Sequence, residues 1–216
     1  MEKKEIVRKG YNKVAKRLLE IFGLEKEESD ELNLLTNFIS RIPLAGQVLD
    51  AGCGNGAYSR YLSDKFKVIG VDISEKQIEL ARQNAPKAEF ICEDMTKIDY
   101  PDEYFDGILS YYAIIHIPRD EHYDLLSNFY RMLKINGVIL LTFHINDDLE
   151  SYEENFFGRG VRMYWSGFDK NANLRMLKQI GFKIIISKSV KESQKWGDSS
   201  HLFVLAEKQF LKTIKK

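Results

Sequence analysis

The residues with the clearest chemical meaning lie in the stretch VLDAGCGNGAYS, residues 48–59. Gly52, Gly54 and Gly56 alternate between a short apolar segment and the start of a helical pattern. Glycines in that place let the chain turn tightly and let a ligand approach the backbone. Free amide groups at the start of a helix also favour an anionic group. The stretch therefore predicts a ligand-binding loop, and an ordinary strand-to-helix turn is the weaker interpretation.

The residue that separates two ligand classes is Asp50, two positions before the first glycine. The loop matches a dinucleotide fingerprint, Gly52-x-Gly54-x-x-Ala57, with Asp72 eighteen residues after Gly54. A carboxylate at Asp50 would repel a pyrophosphate but attract an ammonium or a sulfonium. The loop therefore suits a zwitterionic amino-acid group, with amides for its carboxylate and Asp50 for its cationic end.

Two further carboxylates follow the next apolar segments. Asp72 closes KVIGVD, where an acidic side chain can accept hydrogen bonds from both hydroxyls of a ribose. Asp94 closes AEFICED and could accept from an adenine amino group while Met95 or Cys92 packs on the ring. A helix-flanking carboxylate and a turn residue are the alternatives, and strand position and spacing favour the functional interpretation of Asp72.

The elements that position these residues alternate between strands and helices. From Gln47 the chain carries five apolar strands separated by helical patterns, which predicts βαβ units and a parallel sheet covered by helices on both faces. The predicted strands are QVLDAG, KVIGVDIS, AEFICED, FDGILSYY and GVILLTFH. Two helices are predicted before them, the second stopping before Pro43, and another runs from Arg119 to Lys134.

The end of the chain departs from this alternation. After the helix DKNANLRMLKQI come FKIIISKS and HLFVLAEK, separated by a polar loop from Val190 to Ser200. Since no helix fits between them, we expect an antiparallel hairpin. The aromatic-rich segment 145–168 before that helix suits a lid over a small, fairly apolar acceptor, or a cover for the sheet edge.

Composition limits the function classes. The chain has 216 residues, of which 44% are hydrophobic and 30% charged, and this predicts one globular domain. Lys plus Arg equals Asp plus Glu at 32 each, so we expect no nucleic-acid or membrane partner. Cys53 and Cys92 are too few for a thiolate metal site or a disulfide scaffold. With no signal-peptide pattern at the N-terminus, we expect a cytoplasmic protein without a metal.

The ordered motifs VLDAGCGNG, VDIS, CEDM, YFDGILSYYAIIHIP and LKINGVILLTFH closely resemble those of class I S-adenosylmethionine-dependent methyltransferases. The resemblance runs from about residue 8 to residue 208. It implies a Rossmann-like, doubly wound α/β fold with a seven-stranded sheet, six strands parallel and one inserted antiparallel. It also implies S-adenosylmethionine as the cofactor and methyl transfer as the activity.

The resemblance also implies a set of cofactor-binding residues. They are Tyr11, Asp50, Gly52, Gly54, Asp72, Ile73, Asp94, Met95, Ser110 and Tyr111. By position, Asp50 and the glycine loop border the methionine part, Asp72 and Ile73 flank the ribose, and Asp94 and Met95 flank the adenine. Ser110 and Tyr111 lie where the fourth strand meets the cofactor, and Tyr11, in the short motif YNKVA, closes over the site.

A methyl transfer needs a nucleophile held in line at about 3–3.5 Å, and a base only if that nucleophile arrives protonated. His116 in AIIHIP is the best candidate base, although capping a helix or packing behind the cofactor is the favoured alternative. His144 is a second candidate. His122 and His201 are expected at surface or strand positions.

The residues after the fourth predicted strand also limit the class of compound that can accept the methyl group. They read Ser110-Tyr111-Tyr112-Ala113, without the Asn/Asp-Pro-Pro-aromatic segment of adenine and glutamine N-methylating enzymes. Neither cysteine lies where RNA cytosine-C5 methylation needs one. The favoured function is a methyltransferase for a small molecule, with an NAD-dependent oxidoreductase or a catalytically silent cofactor-binding module as alternatives. The methylated atom and the oligomeric state stay open.

We expect four segments within the single domain. They are an N-terminal helical cap (1–45), a cofactor-binding core (46–144), a substrate lid (145–168) and a C-terminal helix with a hairpin (169–208).

Overall fold

A computed structural model describes residues 2–23, 30–145, 150–194 and 197–209. The sheet that organises it has seven strands in the order β3-β2-β1-β4-β5-β9-β8. These strands are β1 (Gln47–Ala51), β2 (Lys67–Asp72), β3 (Glu89–Cys92), β4 (Phe105–Ser110), β5 (Leu133–His144), β8 (Phe182–Gln194) and β9 (Gly197–Lys208). A separate two-stranded sheet pairs β6 (Glu150–Glu153) with β7 (Met163–Ser166).

The strand directions confirm the predicted Rossmann-like sheet. Strands β1 to β5 pair in parallel, and β9 lies antiparallel between β5 and β8. The carboxyl ends of β1, β2, β3 and β4 therefore meet at one edge, which is where open α/β sheets bind ligands.

Helices cover both faces of the sheet because neighbouring strand residues point to opposite sides. The helices are α1 (Lys3–Phe22), α2 (Asp30–Ile39), α3 (Ala57–Leu62), α4 (Glu75–Asn84), α5 (His122–Met132) and α6 (Lys170–Ile180). On β4, Ile108 belongs to the cluster that includes Phe129 of α5, and Leu109 belongs to the cluster that includes Phe38 of α2. Both strand residues are fully buried.

A third apolar cluster joins α1 to the small β6–β7 sheet. Val7 and Val14 of α1 pack with Phe156, Met163 and Tyr164. The first helix and the segment after β5 therefore form one packed layer.

Several predicted boundaries are corrected. The polar stretch predicted as a loop is strand over residues 190–194 and 197–200, where it continues the terminal hairpin, with Val190 paired to His201 and Gln194 to Gly197. Strand β5 begins at Leu133 rather than Gly137, and Asn136 takes a positive φ of 64° at an irregular point in its pairing.

Other boundaries shift by a few residues. Helix α2 ends at Ile39, and β4 ends at Ser110, so Tyr111 and Tyr112 lie beyond the strand. Two 3-10 turns, Ile114–His116 and Arg119–Glu121, precede α5. Within the described ranges, no helix is long and apolar enough to cross a membrane. The division of the chain into four segments stays a prediction.

Candidate active site

A cavity of about 960 Å³ opens at the carboxyl ends of the parallel strands. Its floor is the glycine loop after β1 and the residues that follow β2, β3 and β4. The remaining walls come from helix α1, from the segment between Ser151 and Trp165 and from His144, Val190 and His201 of β5, β8 and β9. The cavity therefore lies between the sheet and the layer that α1 forms with the β6–β7 sheet.

The glycine loop is held open by its backbone conformation. Gly52, Gly54 and Gly56 all have positive φ, at 81°, 52° and 81°, a region that other residues rarely adopt. A Cβ at Gly52 would lie 2.2 Å from the Cβ of Ala113, whereas a Cβ at Gly54 would meet nothing within 4 Å. Gly54 thus leaves the space beside it free for a ligand.

Asp72 ties the loop to the end of β2. Its carboxylate accepts hydrogen bonds from the backbone amides of Gly54, at 2.9 Å, and Ser74, at 2.8 Å. Burial raises the pKa of Asp72 to about 6, and the two amide donors only partly offset it. Each oxygen keeps a lone pair for a further donor, and the residue lines the cavity.

Asp94 belongs to an ion-pair network that reaches α1. The ammonium of Lys4 lies 2.8 Å from the Asp94 carboxylate and 2.7 Å from the hydroxyl of Thr96, and it also pairs with Glu121. Burial raises the pKa of Asp94, but hydrogen bonds from Lys4 and Thr96 outweigh it, so the pKa lies below its usual value. The residue lines the cavity with its carboxylate already engaged by α1.

Two expected site residues lie behind the cavity wall. Asp50 is 2% exposed and accepts a hydrogen bond from the Ser59 hydroxyl at 2.6 Å. Ser110 is buried and donates to the carbonyl of Ala51 at 2.8 Å. Neither is among the residues that line the cavity. Asp50 is held by Ser59 of α3 and Ser110 by Ala51 of β1, the elements on either side of the glycine loop.

A tyrosine and a histidine meet above the glycine loop. The hydroxyl of Tyr11 lies 2.7 Å from Nε2 of His116, and Nδ1 of His116 lies 2.7 Å from the carbonyl of Tyr164. Because a carbonyl only accepts, Nδ1 carries the hydrogen and Nε2 accepts from Tyr11. Burial lowers the pKa of His116 to about 4, so the ring is neutral at pH 7.

The other wall of the cavity is aromatic. Trp165 lies 4.5 Å from His116 and 5.7 Å from Phe156, measured between ring centroids. On the far side, His144 and His201 are paired across β5 and β9, 5.6 Å apart, and Tyr112 contacts His201. Burial also lowers the pKa of His144 to about 4.

The core of the chain is similar to proteins of known families. A family model described as a methyltransferase domain matches residues 48–137, which contain the glycine loop, Asp72, Asp94 and His116. A curated relative, phosphoethanolamine N-methyltransferase 3 of Arabidopsis thaliana, is 32% identical over 181 residues, covering 77% of this chain and 35% of the relative.

The chain belongs to the class I S-adenosylmethionine-dependent methyltransferases.

Solved structures share the fold of this methyltransferase. Phosphoethanolamine N-methyltransferase 2 of Haemonchus contortus, in complex with phosphomonomethylethanolamine and S-adenosylhomocysteine, aligns with a TM-score of 0.73 at 16% identity, covering 97% of this chain and 61% of that one. A 1,6-didemethyltoxoflavin-N1-methyltransferase of Burkholderia thailandensis aligns at 0.71 and 18% identity, covering 96% and 89%. The chain spans about a third of the length of the first curated relatives that it matches.

Most of the residues expected at the methyltransferase site surround one cavity. Those that line it are Tyr11, Gly52, Gly54, Asp72, Ile73, Asp94, Met95, Tyr111 and His116. Asp50 and Ser110 do not, and Cys92, the alternative to Met95 beside an adenine, is exposed and also absent from the lining. The cofactor roles of these residues stay predictions.

Sequence reasoning missed part of the site. His201, expected at a surface or strand position, is on β9 but is buried and lines the cavity, as does His144. His122 is not on the surface either, since it is 1% exposed on α5 and its Nε2 lies 3.0 Å from the carbonyl of Ile117. His201 does occupy a strand position as expected, and the antiparallel pairing of β9 with β5 sets it opposite His144.

Glu153 and Lys4 were also missed. Both line the cavity, one from the end of β6 and one from the first turn of α1. Each stands beside other charged residues, in MEKKE and in ESYEE, so no local signal distinguishes them from surface residues.

Proposed function

We propose that the protein transfers a methyl group from S-adenosylmethionine to a small-molecule acceptor. The observation that carries this proposal is a cavity lined by two unlike sets of residues. One half holds the glycine loop and buried carboxylates, and the other holds aromatic and imidazole rings. Its volume of about 960 Å³ lies at the upper end of the range for small-molecule pockets, roughly 300–1,000 Å³. That size leaves room for a cofactor and a second small molecule.

The residues of the first half fit the cofactor. Gly54 leaves free space beside the backbone, so an amino-acid group can approach its amides. The carboxylate of Asp72 can accept from ribose hydroxyls while it holds the Gly54 and Ser74 amides. Met95 is nearly buried and lines the same half, where it can pack against a flat base.

The charge of the cavity supports a sulfonium over a dinucleotide. Among the described lining residues, the carboxylates Asp72, Glu93 and Asp94 lie on the cofactor side, and the ammonium of Lys4 is paired with Asp94 and Glu121. A pyrophosphate would meet these carboxylates without a cation of its own, whereas a positively charged sulfur is attracted. This argues against the oxidoreductase alternative.

The cofactor supplies an activated methyl group, and the chain must then orient an acceptor beside it and exclude water. A neutral imidazole with a pKa near 4 is a weak base, so we assign His116 a positioning role. Its Nε2 fixes the direction of the Tyr11 hydroxyl. The hydroxyl oxygen of Tyr11 keeps a lone pair that can accept a hydrogen bond from the nucleophilic group of the methyl acceptor. That hydrogen bond can hold the lone pair of the nucleophile toward the methyl group.

The small-molecule part of the proposal draws on the relatives as well. The names of the curated relatives include phosphoethanolamine N-methyltransferases, and one solved neighbour carries 1,6-didemethyltoxoflavin. These are small nitrogen compounds, and the whole cavity, at about 960 Å³, leaves room for a compound of that kind beside the cofactor. A cytoplasmic location stays a prediction from the low cysteine content.

Two measurements test the function in order. Calorimetry with S-adenosylhomocysteine and with NADH should give micromolar binding for the first and none for the second. Transfer of a labelled methyl group into a panel of amines, phenols, thiols and carboxylates should then give a product with at least one acceptor. Binding of NADH instead would favour the oxidoreductase, and cofactor binding without turnover on any acceptor would favour the silent binding module.

A further inference from the structure

We propose that the acceptor is an unphosphorylated amine, recognised by the carboxylate of Glu153 within the aromatic half of the cavity. This inference rests on the proposed function and deepens it, since it names the substrate class of the same site. Three features of the cavity support it: the position of Glu153, the aromatic rings in the lining and the charges of the lining residues.

Glu153 is a carboxylate placed at an aromatic wall. It is the last residue of β6, pairs with Met163 of β7 and lines the cavity. Its side chain accepts a hydrogen bond from Trp165, the ring that contacts His116. Burial raises the pKa of Glu153, opposed by that hydrogen bond, so an ionised Glu153 gains stability from a cation brought beside it.

Aromatic rings line the cavity together with Glu153. Trp165, Phe156 and Tyr11 all belong to the lining and contact one another or His116 through edge and tilted arrangements. A cation over the face of a ring is attracted by the ring quadrupole, most strongly over tryptophan. A carboxylate combined with aromatic rings is therefore a recognition site for an ammonium, which must pass one proton to the Glu153 carboxylate before its nitrogen can attack the methyl group.

The cavity lining around Glu153 has few cationic groups that could bind a phosphate. Among the residues that the structure describes, the cavity lining includes no arginine and one lysine, Lys4, which is engaged by Asp94 and Glu121. His116 and His144 are neutral at pH 7 because burial lowers the pKa of each to about 4. A phosphate group would bring about two negative charges to a lining that already holds the carboxylate of Glu153 and whose one described lysine is paired.

The test measures binding to the full-length protein saturated with S-adenosylhomocysteine. Calorimetry compares small primary amines with their phosphorylated counterparts, ethanolamine with phosphoethanolamine and tyramine with its O-phosphate. We expect an amine of this panel to bind at least tenfold more tightly than its phosphate ester. Equal or tighter binding of the phosphate esters, or binding of none of the amines, would overturn the inference.

A matched pair of variants tests the role of Glu153 itself. Glu153→Gln keeps an oxygen that can accept from Trp165 but removes the charge, so amine affinity should fall at least tenfold while S-adenosylhomocysteine affinity stays unchanged. Glu154→Gln is the control, because Glu154 is exposed, pairs with Arg162 at 2.9 Å and lies outside the cavity lining. Unchanged amine affinity in Glu153→Gln would contradict the assignment.

The two proposals fail in different ways. If S-adenosylhomocysteine does not bind, the proposed function is wrong and the amine experiment has no saturated protein to use. If it binds but the amines show no preference over their phosphate esters, the methyltransferase proposal stands and the inference about the acceptor is wrong.

Discussion

Asp72 ends β2, binds the glycine loop through a hydrogen bond and lines the cavity proposed for the cofactor. Its two oxygens hold the Gly54 and Ser74 amides, and it keeps capacity for ribose hydroxyls on the cavity side. Holding a carboxylate in a buried place costs free energy, and the raised pKa reports that cost. Such perturbed groups are typical of functional sites.

The pKa of Asp72 leads to a pH-dependent affinity. Below pH 6 the carboxyl is protonated and one oxygen becomes a donor, whereas above pH 6 both oxygens accept from hydroxyl groups. Affinity for S-adenosylhomocysteine should therefore rise from pH 5 to pH 7 and level off above. Calorimetry across this range checks it, with Asp72→Asn as the variant that should bind more weakly and lose the rise. A flat profile for the wild type would contradict the role of Asp72.

The Tyr11–His116 pair predicts a loss of rate rather than of cofactor binding. Tyr11→Phe keeps the ring but removes the hydroxyl, so we expect kcat to fall about tenfold or more while affinity for S-adenosylhomocysteine stays within about threefold. His116→Ala should act similarly, because the hydroxyl loses the acceptor that orients it.

The double variant separates coupling from independent effects. If the two residues act as a unit, Tyr11→Phe combined with His116→Ala should be little worse than either single change. Multiplicative losses in steady-state kinetics would show that the two side chains act separately.

At the scale of elements, the glycine loop combines two different requirements for glycine. At Gly52 a side chain would collide with Ala113, and at Gly54 it would enter the cavity. We expect Gly52→Ala to lower the melting temperature markedly. Gly54→Ala should fold with a cost of about 1 kcal/mol for its positive φ but bind cofactor at least tenfold more weakly. Thermal denaturation and calorimetry on both variants check this, and a reversed order of effects would contradict the geometry.

Helix α1 is fastened over the cavity by charges as well as by apolar packing. Lys4→Met removes a nearly buried ammonium and leaves Asp94 without its ion-pair partner, which should cost more than about 1 kcal/mol of stability. Chemical denaturation measures this, and faster amide exchange in α1 is expected. Lys9→Met is the control on the same helix, since Lys9 is half exposed and pairs only with Glu5 at 3.2 Å. Equal stabilities of the two variants would contradict the role of Lys4.

The sequence predicts the elements of the core well because each has a local cause. The glycine loop and the apolar strands follow from residue type and spacing. The start of α4 has a local cause as well, because the Ser74 hydroxyl accepts a hydrogen bond from the amide of Gln77. The terminal hairpin was predicted too short, because the polar residues after Val190 hide their strand pairing. That pairing depends on partners far along the chain.

At the scale of the whole molecule, the site exists only where distant segments meet. Residues from α1, the glycine loop, the ends of the central strands, β6, β7 and β9 surround one cavity. The cofactor half comes from residues close together in the motif order, so it could be predicted. The acceptor half depends on contacts between segments such as Tyr11 with His116 and His144 with His201, which no local pattern specifies.

The most direct test of the central claim is a crystal structure of the protein with S-adenosylhomocysteine. We predict that the nucleoside lies in the cavity, that its ribose hydroxyls donate to the carboxylate of Asp72 and that its amino-acid group lies beside Gly54. A cavity left empty under saturating nucleoside, or a nucleoside bound elsewhere on the protein, would contradict it.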